Sequence, residues 1–460
     1  MKIKIFLFFT FIGYYGFAQH KIEGNVWTDK QGVAFANVFI KTLNKGATTN
    51  ENGTYKLENV PAGEYTIYVS FIGYKTEVKK IKVESSINNF DFKLKELTML
   101  NEVVVTGTLK PISRLETAVP VEVYTTTFLK KNPTPNIFEA LQNVNGVRPQ
   151  LNCNICNTGD IHINGLEGPY TMVTIDGMPI VSGLSTVYGL TGIPNSLIDR
   201  IEIVKGPASS LYGSEAVGGL INIITKKAEN APLFFADFFT ASWLENNVDI
   251  GTKYNVGKNI TSLLGLNYFN FNQRIDNNKD NFTDVTLQNR ISVFNKYDFK
   301  RKKDREMSLA GRFFYEDRWG GEMQWNKSNR RGNEVYGESI YTKRFEIIGK
   351  YQLPLTEKIN NSFSYVNHDQ NSVYGETKYI ANQKIAFAQA TWDKKINAND
   401  ILIGAAFRHQ FYDDNTPATE STNKSDISSF FAQNEISFKD NKSLLLGTRF
   451  DYNSKPNYLC

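Results

Sequence analysis

Residues 193–227 read IPNSLIDRIEIVKGPASSLYGSEAVGGLINIITKK, two runs of period-two hydrophobicity, RIEIVKG (200–206) and LINIITK (220–226), joined by a glycine-crowded segment. Alternation at every second residue marks a strand with one buried face, so each run is expected to bury one side and turn the other toward polar surroundings. Between them Gly206-Pro207, Gly213 and Gly218-Gly219 mark turns that a residue with a Cβ would resist, which keeps the segment compact. Upstream, TMVTI (171–175) and MPIV (178–181) flank Asp176-Gly177. An Asp-Gly pair between alternating segments signals a tight hairpin, because both central positions of a type I′ turn need positive φ. The charges of this block, Arg200, Glu202, Lys205 and Glu215, read singly as a solvated face. As a set they suit a unit that sits inside a polar wall and pairs with it.

Downstream of Asn230 the sequence changes to long segments rich in Phe, Tyr and Asn, and about eleven amphipathic strands are expected, among them LFFADFFTASWL (233–244), TSLLGLNYFNF (261–271), KIAFAQATWD (384–393) and SLLLGTRFDY (443–452). Strands of roughly 9–11 residues are what a bilayer requires of a transmembrane barrel, whose lipid-facing and lumen-facing residues alternate. Such alternation leaves a polar average, in keeping with a mean hydropathy of −0.36, and a high aromatic content, here 13% with 32 Phe and 23 Tyr. The polar stretches Asp317 to Ser339 and Asp413 to Asp426 read as extracellular loops, and Tyr254 to Asn259 as a periplasmic turn. Outer-membrane barrels with a filled lumen have about 22 strands. With half that number, the sequence is expected to be a fragment of a longer reading frame or a truncated product, because an open edge in hydrocarbon leaves backbone groups unpaired at several kcal/mol each.

Upstream of the decisive block, residues 21–97 read as short strands: KIEGNVW, ANVFIKT, TYKLENV, EYTIYVSFIGY, KKIKVE and NNFDFKLKE. Turn residues at Gly32, Asn52-Gly53 and Pro61-Ala62-Gly63 separate them, with a hairpin expected at Asn52-Gly53. A small β-sandwich follows from that pattern. Before it, Lys2 and Lys4 precede an apolar run from Ile5 to Phe17 and the small Ala18, the layout of a secretory signal peptide cleaved near Ala18 or Gln19. The run is shorter than the ~20 residues of a spanning helix.

Other functions are excluded on what is missing. A net charge of +5 over 460 residues does not point to nucleic acid. HExxH, P-loop and GxSxG patterns do not occur, and four dispersed histidines and three cysteines offer no metal or disulfide framework. Cys153 and Cys156, in LNCNICNTGD, leave three readings open: a small disulfide that stiffens a loop on the ligand side, soft-metal or haem contact with His162 the only histidine near in sequence, or simple packing. His368 and His409 read as ordinary wall residues.

Three resemblances gather these pieces. Residues 32–76, from GVAFANVFI to SFIGYKT, resemble the carboxypeptidase-regulatory-like domain of Bacteroidetes receptors at Asn52-Gly53, Pro61, Gly63 and Gly73-Tyr74. LNEVVVTGTLK (100–110) looks like the Ton box, whose functional residues would be Glu102, Val103, Val104, Val105, Thr106 and Gly107. From the residues alone it is a valine-rich strand between polar flanks, able to add itself to the edge of a partner sheet. NIFEALQNVNGVRP, IHINGLEGPYTMVTIDGMPI and the opening stretch, in that order, resemble the plug of TonB-dependent receptors, with Asp176, Gly177, Arg200, Glu202, Lys205, Gly206, Pro207, Tyr212, Gly213, Gly218 and Gly219 as its signature.

The resemblance implies a mainly β chain: signal peptide at 1–19, β-sandwich at 20–97, Ton box and linker at 98–116, an α+β plug at 117–228, and part of a 22-stranded antiparallel transmembrane barrel at 229–460. It implies TonB with ExbB and ExbD as partners, outer-membrane lipid as surroundings, and a scarce metal complex such as a siderophore, haem or cobalamin as cargo, with no catalytic step and no resident cofactor. Two other classes stand beside it: a signalling transducer, which the family builds with a different N-terminal domain, and an exported enzyme or adhesin using the sandwich.

Overall fold

The computed structural model describes residues 19–455 apart from 29–30, 72–73, 75, 96–102, 115–116, 154–157, 181–183, 185–188, 191, 420–421 and 439–441. The signal-peptide reading, Glu102, Gly73, Cys156 and the side chain of Cys153 therefore lie outside the described residues. Two compact units divide the chain at Glu102/Val103.

The first unit is a sandwich of two sheets. Strands β1 (Gln19–Trp27), β4 (Thr54–Pro61) and β7 (Phe92–Lys93) form one, in the order β4-β1-β7. The other is ordered β3-β2-β5-β6, from β2 (Asn37–Ile40), β3 (Lys45–Thr48), β5 (Gly63–Ser70) and β6 (Glu77–Val83). Alternate residues such as Ile22, Val38, Tyr55, Ile67 and Phe92 meet in the core. The hairpin expected at Asn52-Gly53 is not formed. β3 and β4 lie in different sheets, and the turn carries the chain across the sandwich, closed by the Asn50 side chain accepting from the amides of Asn52 and Thr54.

The second unit begins with a two-stranded ribbon, β8 (Val103–Val104) against β9 (Ile112–Ser113). A five-stranded sheet follows in the order β10-β15-β16-β13-β14: β10 (Val121–Thr125), β13 (Thr171–Ile175), β14 (Met178–Ile180), β15 (Ile198–Lys205) and β16 (Gly219–Thr225). A separate ribbon pairs β11 (Val147–Cys153) with β12 (Thr158–Ile163). The Asp176-Gly177 hairpin forms as expected, Ile175 facing Met178 with both turn residues at positive φ, 49° and 82°. At Gly219, φ is 153° and a Cβ would lie 2.5 Å from the Val204 carbonyl oxygen, so glycine is required there.

One expectation is corrected in this sheet. β15 and β16 bury most of both faces, not one. Isoleucines 201, 203, 221 and 223 fill one core, while Val204 and Leu220 join a second, smaller core with Val104. Polar positions in these strands therefore end inside the protein, where each needs a partner.

The remaining eleven strands form a single antiparallel sheet in sequence order. They are β17 (Phe234–Thr240), β18 (Asn246–Asn255), β19 (Ile260–Phe271), β20 (Leu287–Phe299), β21 (Met307–Gly321) and β22 (Gly337–Gln352), then β23 (Lys358–Tyr374), β24 (Thr377–Ile396), β25 (Asn399–Asp414), β26 (Asn423–Ser437) and β27 (Ser443–Asn453). Several strands run further than their charge pattern suggested. Asp317 and Arg318 belong to β21, so that loop shrinks to 322–336, and the next long one to 415–422.

The sides of this sheet are inverted relative to a water-soluble protein. Phe313, Phe345, Phe363, Ile403, Phe407, Phe430 and Leu446 are exposed, whereas Arg290, Arg312, Glu316, Arg344 and Glu346 are buried on the opposite face against the plug. Aromatics outward and charges inward is the arrangement of a wall standing in lipid around a polar lumen. Among the described residues no helix is long and apolar enough to cross a membrane.

Candidate functional site

The valine peptide does not hang free. Val104 is fully buried, its side chain among Val121, Met172, Val204 and Leu220, and its strand is already paired with Ile112. The chain then runs over a polar row of the plug sheet. Glu202, Asn222 and Thr174 are cross-strand neighbours on β15, β16 and β13, so their side chains leave the sheet side by side.

Glu202 is the centre of the row. Its Oε2 accepts from the backbone amides of Val105 at 3.0 Å and Thr106 at 2.9 Å, and also from the Thr106 hydroxyl. Its Oε1 takes Nε and Nη2 of Arg200 at 2.9 and 2.7 Å. A wholly buried carboxylate is stable only when paired and hydrogen-bonded, and here one oxygen holds the peptide while the other is neutralised. Burial opposes the charge of Arg200, but Glu202 and Asp199 outweigh it and raise the guanidinium above its ordinary value.

Two more bonds close the clasp. Tyr212 donates its hydroxyl to the Thr106 carbonyl at 3.0 Å, and burial followed by the field of Glu202 raises that phenol. Asn222 Nδ2 donates to the Thr106 hydroxyl oxygen at 3.0 Å. Gly107 passes so close to Thr117, Val119 and Val121 that a Cβ would sit 3.2–3.3 Å from each. Beyond it Lys110, nearly buried, reaches the wall and pairs with Asp400 and, at 3.6 Å, Asp393.

That last contact fixes the direction of the molecule. Asp393 and Asp400 lie at the β24–β25 end joined by residues 397–398, where the connections are short; the long loops 272–286 and 322–336 are at the opposite end. Short turns face the periplasm and long loops the outside in outer-membrane barrels, so the peptide sits at the periplasmic mouth.

The plug is fastened to the wall by polar contacts. Arg312 donates to the Gly189 carbonyl, Arg290 to that of Pro135 and Ser292 to that of Gly192, while Arg449 reaches the carbonyl of Leu211. Arg408 grips Glu215 through two bonds of 3.0 Å. Lys296 meets Asp176 at 3.0 Å and the Thr225 hydroxyl at 2.7 Å. Burial would raise the Asp176 carboxyl, but Lys296, Lys350 and the bonds from Thr225 hold it below the ordinary carboxylate range.

Of the four plug charges expected to meet the wall, only Glu215 does so. Arg200 and Glu202 serve the clasp, and Lys205 pairs with Glu122 inside the plug at 2.6 Å. Gly206 and Gly213 take positive φ, Pro207 lies between them, and the Gly218 amide donates to the Tyr170 carbonyl. Asn222, Thr174, Lys296, Lys110, Asp393 and Asp400 were not singled out from the sequence. Only Asn222 carried a signal, as a lone polar residue inside GLINII. His162 binds Asp160 at 3.0 Å, His409 binds Asp426 at 2.6 Å, and His368 lies beside Arg344 on the inner wall. Among the described residues no group of His, Cys, Asp and Glu is placed to hold a metal.

A plug held against a wall with apolar side chains outward and charges inward, with a valine peptide clasped at its short-turn end, is the arrangement of a plugged outer-membrane β-barrel. The CarboxypepD_reg-like domain model matches residues 22–105 and the TonB-dependent Receptor Plug Domain model matches 113–220. The chain therefore carries the plug domain of TonB-dependent receptors, preceded by a CarboxypepD_reg-like domain. It is similar to the vitamin B12 transporter BtuB of Vibrio cholerae, 26% identical over 255 residues, covering 48% of this chain and 42% of that protein.

Its fold is similar to that of the ferric-catecholate import receptor Fiu from E. coli K12, with a TM-score of 0.56 at 15% identity, covering 75% of this chain and 61% of that one. The siderophore receptor PirA from Acinetobacter baumannii gives the same TM-score at 18% identity, covering 75% and 58%. The chain thus spans less than two thirds of each of these relatives, and its eleven-stranded sheet matches part of their barrel.

Proposed function

We propose that this chain belongs to an importer that brings a scarce metal complex across the outer membrane, and that residues 102–107 are the handle gripped by TonB, driven by ExbB and ExbD. The observation that carries the reading is the clasp. A valine-rich peptide is seated at the periplasmic mouth by one carboxylate and two further side chains, all belonging to the plug. Such a seat holds a peptide that has to be let go. While docked, its strand edge is taken by β9 and its amides by Glu202, so it has nothing to offer a partner sheet. Once released, the same donors and acceptors become available for strand addition.

Ligand bound between the long loops and the plug works by favouring the released state, since a ligand shifts an equilibrium only by its difference in affinity for the two forms. The domain limits proposed are 20–97 for the sandwich, 98–116 for handle and linker, 117–228 for the plug and 229–460 for the wall. The relative named for vitamin B12 transport supports metal complexes as the cargo class. The test is uptake of radiolabelled cobalamin and of a labelled ferric catecholate by cells carrying the complete gene, with and without Val104→Pro. Pro removes a main-chain donor and fixes φ, so uptake of the preferred complex is expected to vanish while its binding to the cell surface persists. Unchanged uptake would overturn the assignment of the handle.

A further inference from the structure

Asn222 makes three side-chain hydrogen bonds in a pocket that leaves it 1% exposed, and they point two ways. Its Oδ1 accepts from the Gly177 amide at 3.0 Å and the Thr174 hydroxyl at 2.8 Å, both in the β13–β14 hairpin. Its Nδ2 donates to the Thr106 hydroxyl of the docked peptide. The orientation of the carboxamide is fixed by chemistry: the Gly177 partner is an N–H and needs an oxygen opposite it, which leaves the nitrogen for Thr106. We infer that Asn222 is the relay through which the β13–β14 hairpin governs whether residues 105–106 stay clasped. The inference rests on residues 102–107 being the handle only for its biological meaning, since the relay itself is a property of the plug.

The hairpin is placed to act as the input. Its turn residue Asp176 is tied to the wall through Lys296 and to β16 through Thr225. Downstream of β14 the chain reaches Gly189 and Gly192, whose carbonyls are held by Arg312 and Ser292 in the wall. Gly177 lies just beyond the last β13–β16 pair and its amide is held by the Asn222 side chain, so a turn of the chain at Asp176-Gly177 is felt by Asn222. The planar amide of Asn222 cannot follow Gly177 without turning Nδ2 away from Thr106, and a buried polar group without its partner is penalised. The arrangement favours two settings, all bonds made or all released. Thr106 is the natural receiver because its hydroxyl, accepting from Asn222, is the same group that donates to Glu202.

Spatial order alone does not establish coupling, so the test is a cycle of variants. The protein in detergent is followed by hydrogen exchange resolved to single amides. Lys296→Met removes the ion pair that joins the hairpin to the wall, and its effect on the Val105 and Thr106 amides is compared in the Asn222 protein and in Asn222→Ala. The expected result is faster exchange at 105–106 by roughly 5- to 150-fold, the usual span of coupling between sites, with little further change when Asn222 is already Ala.

Equal acceleration in both backgrounds, or none in either, would overturn the relay. If Asn222→Ala does not fold, Thr106→Val cuts the same link from the peptide side and should speed exchange at Gly177; an unaltered Gly177 amide would likewise overturn it. Binding of a 100–110 peptide to the periplasmic domain of TonB is measured alongside. Coupling with no such binding supports the relay and counts against the import reading alone; binding with no coupling does the reverse.

Discussion

Replacing Glu202 by Gln tests the clasp with the least change of shape. In the native protein the carboxylate accepts the Val105 and Thr106 amides and the Thr106 hydroxyl on one oxygen. A glutamine retains an acceptor at that point but loses the charge. Charge-assisted hydrogen bonds are about twice as strong as neutral ones, and those to a charged group contribute roughly 1.5–3 kcal/mol each. Halving the two amide bonds alone removes about 1.5–3 kcal/mol, which is a 10- to 150-fold rise in the released population at about 1.4 kcal/mol per decade. Arg200, left without its carboxylate, adds to the loss.

The assay uses Val104→Cys, a fully buried position in the docked state, in protein whose other three cysteines are serine. Alkylation then reports the released fraction, and its rate is expected to rise by the factor above in Glu202→Gln while exchange of the β13 and β16 amides stays slow. An unchanged alkylation rate, or a loss of protection across the whole plug sheet, would refute the idea that this carboxylate specifically holds the peptide.

Three other outcomes are expected. Lys110→Met strips the partner from Asp400, while Asp393 keeps Lys358 at 2.6 Å; breaking a buried pair from one side costs about 3–5 kcal/mol, so hydrogen exchange over residues 108–114 should quicken, and Asp400→Asn added to it should restore part of the protection. Asp176, whose carboxyl is held below its ordinary range, contributes stability that is present above the unfolded carboxylate value of about 3.9 and is lost as pH falls through its lower folded value. Asp176→Asn, which keeps a side chain suited to the turn, should therefore lower the melting temperature at neutral pH and approach the native protein in strong acid. Phe407→Arg places a charge on the outward face, where Phe407 is 46% exposed; in a lipid-embedded wall it should destabilise by roughly 2–4 kcal/mol near the midplane, measured by unfolding from bilayers, whereas a water-facing surface would tolerate it.

What could be read in advance followed local rules. Asp176-Gly177 announced its hairpin because the turn is decided by two residues, and wall strands such as TSLLGLNYFNF announced themselves by alternation. Asn52-Gly53 misled for the same reason: the dipeptide permits a turn but does not choose which strands pair across it, and β3 and β4 went to different sheets. Asp317 and Arg318 read as loop because charge ordinarily ends a strand in a soluble protein, yet both are buried within β21, Asp317 paired with Lys327 and Arg318 with Glu316.

The clasp was beyond local reading. The Glu202–Val105 bond joins residues 97 positions apart, and Glu202 belongs to an alternating strand whose polar face looked solvated. Only the burial of both faces of β15 and β16 turns Glu202, Asn222 and Thr174 from surface residues into obligatory partners. Lys110 and Asp400 meet only once the plug is placed against the wall.

Affinity of the periplasmic domain of TonB for the membrane-embedded receptor decides most directly whether residues 102–107 form a handle held shut by the plug. When only a fraction of molecules is competent, apparent affinity falls by that fraction. Glu202→Gln should therefore bind more tightly, by the same factor that it accelerates alkylation at position 104, and Val104→Pro should abolish binding in both proteins. Equal affinity of the native and Glu202→Gln receptors, with alkylation accelerated in the variant, would contradict it.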